Sequence, residues 1–283
     1  MLTFEFILIG KTTWNYPLLI AIILIAVIYL ALIHRFAKEH FVPFQPISFF
    51  ISCALFLFIA ASPFAIISHL SFSLHMVQMS ILYFIIPPLM MLGIPEQLLN
   101  QLPRFPKHKW LTLTRLSPKI ALYTFATLFL LYHLPFILTI IAGNPLLKNG
   151  YLFLLFALSF SMWKPLASPD PLFRLCTCKM KRYAFISGVA ITPACLLFIG
   201  SAFLGYTGNP LFDQLIAHLC GPANLDALPI MPWPFNTKYD QVLAGFLMIG
   251  LHKLSLFMTL RLERKISIHF YEELESEVEK RCV

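Results

Sequence analysis

The chain has 283 residues, of which 59% are hydrophobic and only 12% are charged. Soluble domains are nearer half apolar and a quarter charged, and the apolar residues here come in blocks of about twenty, the length that crosses a bilayer core. The formal net charge of +8 does not indicate a nucleic-acid partner, because the basic residues lie in short segments between these blocks and form no basic stripe with interleaved aromatic residues.

Seven apolar segments follow one another along the chain, and none carries an acidic residue in its middle third. Prolines 87, 88, 135 and 193 fall inside segments, where we expect kinks, because neighbouring groups in a membrane bundle can satisfy the freed backbone carbonyls. The sequence predicts an all-α polytopic membrane protein, a bundle of about seven transmembrane helices. They lie at about 17–33, 48–67, 73–93, 119–141, 146–163, 184–204 and 239–260.

The basic residues are divided unequally between the two sides of this bundle. Of the 21 Lys and Arg residues, 17 lie after the first, third, fifth and seventh predicted helices. Under the positive-inside rule that side is cytoplasmic, which predicts a multi-pass protein of a bacterial inner membrane with its N-terminus outside and its C-terminus inside.

The end of the chain changes character. We expect residues 1–262 to form the transmembrane domain and 263–283 to form a short acidic cytoplasmic tail. Ile266, Phe270 and Leu274 recur there at helical spacing between glutamates, which is typical of an amphipathic helix.

Sequence signatures of enzymes are absent: the chain has no GxSxG, HExxH, P-loop or dinucleotide fingerprint. Asp240, at the outer end of the last predicted helix, is the nearest approach of a carboxylate to the membrane core. Proton pumps and carboxylate-driven transporters normally need one deeper. We therefore expect the protein not to be an enzyme.

Histidine and methionine form the candidate metal site. His75 and Met79 are four residues apart, so they share one face of the third predicted helix, and His133 lies in the outer half of the fourth. Imidazole and thioether together suit cuprous copper, which prefers soft donors. Two further histidines, His69 and His218, are expected on the same outer side.

Three other interpretations of these residues stay open. A methionine in an apolar helix is usually a packing residue, and a lone membrane histidine more often donates a hydrogen bond to a neighbouring helix. Two histidines on adjacent helices could also clamp a haem.

Short motifs in a fixed order give the chain a resemblance to a known family. From about residue 45 to 260 it resembles the CtaG family, membrane assembly factors for cytochrome c oxidase. The motifs are HMVQ at 75–78, IPPL at 86–89, LGIP at 92–95, YHLP at 132–135, MWKPL at 162–166, TPAC at 192–195, LC at 219–220, and DQ at 240–241 with AG at 244–245.

The resemblance implies a seven-helix membrane bundle that supports a haem-copper oxidase, with copper delivery to its catalytic subunit as the expected role. Two positions depart from the family pattern: Met79 replaces the histidine that ends its HMVQH motif, and Lys164 replaces the second tryptophan of its W-W-P stretch. The expected partners are oxidase subunits and the lipid bilayer. A small-solute or metal transporter and a haem-binding membrane protein are the alternatives.

Overall fold

A computed structural model describes residues 14–36, 42–101, 117–170, 173–205 and 237–282. All regular elements in these ranges are helices, so the predicted all-α polytopic class is confirmed. In chain order they are α1 (Tyr16–Phe36), α2 (Phe44–Ala61), α3 (Phe64–Ile67), α4 (Phe72–Leu92), α5 (Glu96–Gln101), α6 (Pro118–Tyr132), α7 (Pro135–Ala142), α8 (Pro145–Ala167), α9 (Thr177–Phe203) and α10 (Lys238–Cys282).

Among the described residues, six helices are long and apolar enough to cross a bilayer: α1, α2, α4, α8, α9 and α10. The fourth predicted segment, 119–141, is not a single helix as the sequence suggested. It divides into α6 and α7, because Leu134 is extended and Pro135 begins the second piece. A residue that precedes proline is biased away from the helical conformation, and hydropathy alone does not register this bias.

Helix α4 lies at the centre of the bundle. In its most apolar stretch 61% of the residues are buried, compared with 17% in α1. Helix α10 packs extensively against both α4 and α9, and α8 packs against α6. Helices α9 and α10 approach each other closely at Gly245, where a Cβ atom would lie 2.9 Å from the carbonyl oxygen of Cys195. Residues on α4 are therefore held from several sides.

Pro87 and Pro88 show how the bundle accommodates proline. Neither has an N–H group, so the carbonyls four residues earlier, those of Tyr83 and Phe84, lose their helical donors. The chain forms a π-helical turn there, Ile81–Ile85. The Trp163 indole N–H from α8 donates to the Tyr83 carbonyl at 3.0 Å, and the Ser255 hydroxyl from α10 donates to the Phe84 carbonyl. Both freed carbonyls are satisfied by neighbouring helices.

Helix α10 continues without a break across the predicted boundary between residues 262 and 263. Just past that boundary, Glu263 accepts a hydrogen bond from Arg174 at 3.4 Å, and Ile266 is buried against Leu92 and Ala167. The tail as a separate unit stays a prediction, as does the N-out, C-in orientation.

Candidate functional site

The start of α4 is held by a buried carboxylate from α10. Asp240 is 1% exposed and accepts hydrogen bonds from the backbone N–H groups of Phe72 at 2.9 Å and Ser73 at 3.2 Å. The hydroxyls of Ser71 and Ser73 also donate to it. A carboxylate is stabilised at a helix N-terminus by the unpaired N–H groups and the helix dipole. The sequence placed Asp240 at this end of the bundle but gave no sign of its partners.

His75 lies one turn further along α4 and meets His133, which sits at the junction of α6 and α7. Their ring centroids are 6.2 Å apart, and the two residues are 5% and 4% exposed. Two imidazoles that share an ion through nitrogens about 2 Å from it have ring centroids roughly 5–6.5 Å apart. The structure therefore brings together two of the three predicted metal ligands.

The hydrogen bonding of His133 identifies its tautomer. Its Nδ1 lies 2.7 Å from the carbonyl oxygen of Phe129. A carbonyl only accepts, so Nδ1 carries the proton and Nε2 keeps its lone pair. That Nε2 is buried and has no hydrogen-bond partner among the described residues. Metal-binding histidines commonly use this arrangement, in which one ring nitrogen is fixed by a backbone carbonyl and the other is left to bind.

The ring of His75 also lacks hydrogen-bond partners. Both of its ring nitrogens are buried without a hydrogen-bond partner among the residues that the structure describes. The adjacent Gln78 side chain interacts with the His75 ring, but its well-formed hydrogen bonds go elsewhere: its amide donates to the Ile59 carbonyl at 2.9 Å and its oxygen accepts from Ser68 at 2.6 Å. The phenol oxygen of Tyr132 is also buried and unpaired, and its ring centroid lies 6.2 Å from that of His75.

His69 approaches the pair from the 3₁₀ turn that precedes α4. Its ring centroid lies 5.5 Å from that of His75. Burial, together with the nearby positive charge of Lys148, lowers the pKa of His69 to about 3. The imidazole is therefore neutral near pH 7, the form that binds metals. Three of the four histidines that the sequence analysis placed on one side, His69, His75 and His133, lie together, and His218 lies outside the described residues. That this side is the outer one stays a prediction.

Met79 is buried on α4, one turn beyond His75, at 3% exposure. In the described ranges no three His, Cys, Asp or Glu side chains converge as a ready-made metal site. The arrangement is thus a pair of imidazoles, with His69, Tyr132 and Met79 around it, rather than a closed cage. Cuprous copper accepts low coordination numbers and soft ligands, so this donor set suits it better than zinc, which usually takes four.

His252 is a membrane histidine whose ring contacts a neighbouring helix. It is 2% exposed, and its Nε2 lies 3.2 Å from the Ser187 hydroxyl of the neighbouring α9. This contact between helices is what the sequence analysis held open for a lone histidine. His252 lies apart from His69, His75 and His133 and therefore provides a matched control for them.

A comparison with known protein families identifies the family of this chain. It matches the family described as cytochrome c oxidase caa3 assembly factor (Caa3_CtaG) over residues 27–262, more than four fifths of its length. No curated protein and no solved structure matches it. The family that these sequence motifs implied is confirmed. The chain belongs to the Caa3_CtaG family and is a cytochrome c oxidase assembly factor.

Proposed function

We propose that this protein supports oxidase assembly by holding cuprous copper between His75 and His133, with the Met79 thioether as a further donor. The copper is then passed to the oxidase subunit that carries the copper centre. In this role the protein binds and transfers its cargo in a bacterial inner membrane and does not act as an enzyme. The observation that carries the proposal is a pair of buried imidazoles beside the start of α4, in which both ring nitrogens of His75 and the Nε2 of His133 have no hydrogen-bond partner among the described residues.

Such imidazoles are costly unless something binds them. A buried polar group without a hydrogen bond costs on the order of 1–3 kcal/mol, and two such rings lie side by side here. In the same bundle His252, and the carbonyls freed by Pro87 and Pro88, all have partners. A ligand for His75 and His133 would relieve this cost.

The surroundings favour the reduced ion. Phe129 and Phe198 pack against His133 with ring centroids 4.5 Å and 5.2 Å away, and the Met79 thioether is a soft donor. The nearest described carboxylate on this side, Asp240, is occupied by the start of α4. Soft and neutral ligands in an apolar setting suit Cu(I), whereas Cu(II) prefers nitrogen and oxygen ligands in a tetragonal arrangement.

Haem is the second candidate ligand, because two facing imidazoles can bind iron on opposite sides of a porphyrin. The same phenylalanines that pack against His133 would have to move to admit the macrocycle. A Soret band in the purified protein would favour haem over copper.

Anaerobic titration with Cu(I) against a chromophoric competitor tests the copper site directly. We expect one tightly bound Cu(I) per chain and at least a hundredfold loss of affinity in His75→Ala and in His133→Ala. Met79→Leu should lose about tenfold, since it removes one weaker donor. The controls are His252→Ala, at a residue that contacts Ser187, and Met180→Leu, at the start of α9; both residues are buried, and both variants should bind as the wild type does. Equal retention of copper by His75→Ala and wild type would rule out the site.

Oxidase activity and reduced-minus-oxidised haem spectra in membranes test the cellular role. A deletion strain should lose the oxidase, His252→Ala should restore it, and His75→Ala should not. Full oxidase in the deletion strain would contradict an assembly role. Metal uptake into proteoliposomes that contain the purified protein would then favour the transporter.

A further inference from the structure

A cavity lies between α9 and α10, at the opposite end of the bundle from His75 and His133. Its volume is about 740 Å³. It forms where α9 begins and where α10 leaves its apolar stretch, on the basic side of the protein that is cytoplasmic in the predicted topology. The oxidase assembly role makes no use of this cavity.

Four cationic side chains line it: Lys181 from α9, and Arg261, Arg264 and Lys265 from α10. All four are exposed. The single carboxylate in the lining, Glu263, is already engaged, because its Oε1 lies 3.4 Å from Arg174 and accepts a hydrogen bond from Ser267 at 2.8 Å. The cations of the cavity therefore face no free counter-charge within the lining.

The rest of the lining is largely apolar. Met180 is buried at the base, while Phe257 and Ile268 are 55% and 47% exposed. The Arg261 guanidinium lies 4.7 Å from the centre of the Phe257 ring, so charge and apolar surface meet at one point. Phe257, Arg261 and Lys265 follow one another at intervals of four along one face of α10, from apolar to charged.

We infer that this cavity binds an anionic phospholipid of the adjacent leaflet, with the phosphate between the four cations and an acyl chain along Phe257 toward the membrane core. Basic pockets between transmembrane helices on the cytoplasmic side suit acidic lipid headgroups. Arginine contributes planar, bidentate hydrogen bonds to phosphate oxygens. The apolar lining has no counterpart in a free phosphate ion, which is why the lipid is the expected source of the phosphate.

Thermal unfolding of the full chain in nanodiscs tests this binding without copper or oxidase, so its outcome is independent of the proposed copper role. We expect phosphatidylglycerol in a phosphatidylcholine bilayer to raise the unfolding temperature of the wild type by several degrees. The double variant Lys181→Gln, Arg264→Gln should lose most of this rise, with at least a fivefold weaker dependence on the lipid fraction.

The matched control is Lys179→Gln, Arg182→Gln. It removes the same charges from exposed positions of α9 that do not line the cavity. This control should respond as the wild type does. An equal loss in both double variants would show a general surface attraction and would overturn the site.

Two further measurements complete the test. Inorganic phosphate added to the protein in detergent should give little stabilisation. A rise equal to that from phosphatidylglycerol would assign the cavity to free phosphate instead. If the double variant fails to fold, native mass spectrometry of the wild type decides. Retention of phosphatidylglycerol over phosphatidylcholine supports the inference, and equal retention contradicts it.

Discussion

Two regions of α4 differ in whether their buried polar groups have hydrogen-bond partners. Near Pro87 and Pro88, each carbonyl that loses its helical donor has gained one from another helix, Trp163 or Ser255. About three turns earlier, His75 is buried and neither of its ring nitrogens has a hydrogen-bond partner among the described residues. The same helix thus contains a complete region, in which the freed carbonyls have hydrogen-bond donors, and an incomplete region, in which the His75 ring has no hydrogen-bond partner among the described residues. We attribute the first to the fold and the second to a ligand, and the predictions below test that division.

The largest effect is expected from removing the carboxylate that holds α4 in place. Asp240→Ala leaves two backbone N–H groups and two hydroxyls without their acceptor, and should lower the free energy of unfolding by about 3 kcal/mol. Asp240→Asn keeps one acceptor oxygen and should lose less. Equilibrium unfolding in mixed micelles measures both. A neutral Asp240→Ala would show that α4 does not depend on this contact.

The complete region should be sensitive to the loss of one donor. Trp163→Phe keeps most of the ring but removes the N–H that satisfies Tyr83, and should cost about 1–2 kcal/mol of unfolding free energy. The Cu(I) affinity of Trp163→Phe should stay within about twofold of wild type, because the change lies away from His75 and His133. If Trp163→Phe lost copper while keeping its stability, the two regions would not be independent.

The incomplete region should tolerate an apolar replacement when metal is absent. His75→Leu removes nitrogens that have no hydrogen bonds, so the unfolding free energy should be unchanged or higher by up to about 1 kcal/mol. His252→Leu, which breaks the contact with Ser187, should be destabilised under the same conditions. A marked loss of stability in metal-free His75→Leu would mean that His75 is a structural residue.

The last prediction concerns acid. The pKa of folded His69 is about 3, below the ordinary value of about 6.5 expected in the unfolded chain, so the unfolded chain binds the extra proton between these values. The contribution of His69 is therefore fully present above pH 6.5 and is lost progressively as the pH falls toward 3. As the pH falls from 7 to 4, the unfolding temperature of the wild type should fall more steeply than that of His69→Gln. Parallel curves would contradict this.

Much of the fold could be predicted because its cause is local. Bilayer-length apolar blocks indicate spanning helices wherever they occur, and an interval of four puts His75 and Met79 on one face. The break before Pro135 is also local, but it depends on the backbone conformation of Leu134 and not on hydropathy. A scan for apolar length therefore joined α6 and α7 into one segment.

The site depends on contacts between distant parts of the chain, and these are not visible in a single sequence. That His75 faces His133 follows from how α4 packs against α6, and the approach of His69 depends on a 3₁₀ turn. The i−4 rule for proline does predict which carbonyls of α4 need donors. It does not predict that Trp163 and Ser255 supply them.

Helix α10 is a single rod of 45 residues, about 68 Å long, whereas the hydrocarbon core is roughly 30 Å thick. It contains no proline from Lys238 to Cys282, so it lacks the commonest cause of a sharp kink. The carboxylate that holds α4 lies near one end of this rod, and the acidic stretch lies at the other. This one continuous helix joins the two sides of the membrane, so a tilt imposed on its C-terminal end also moves Asp240.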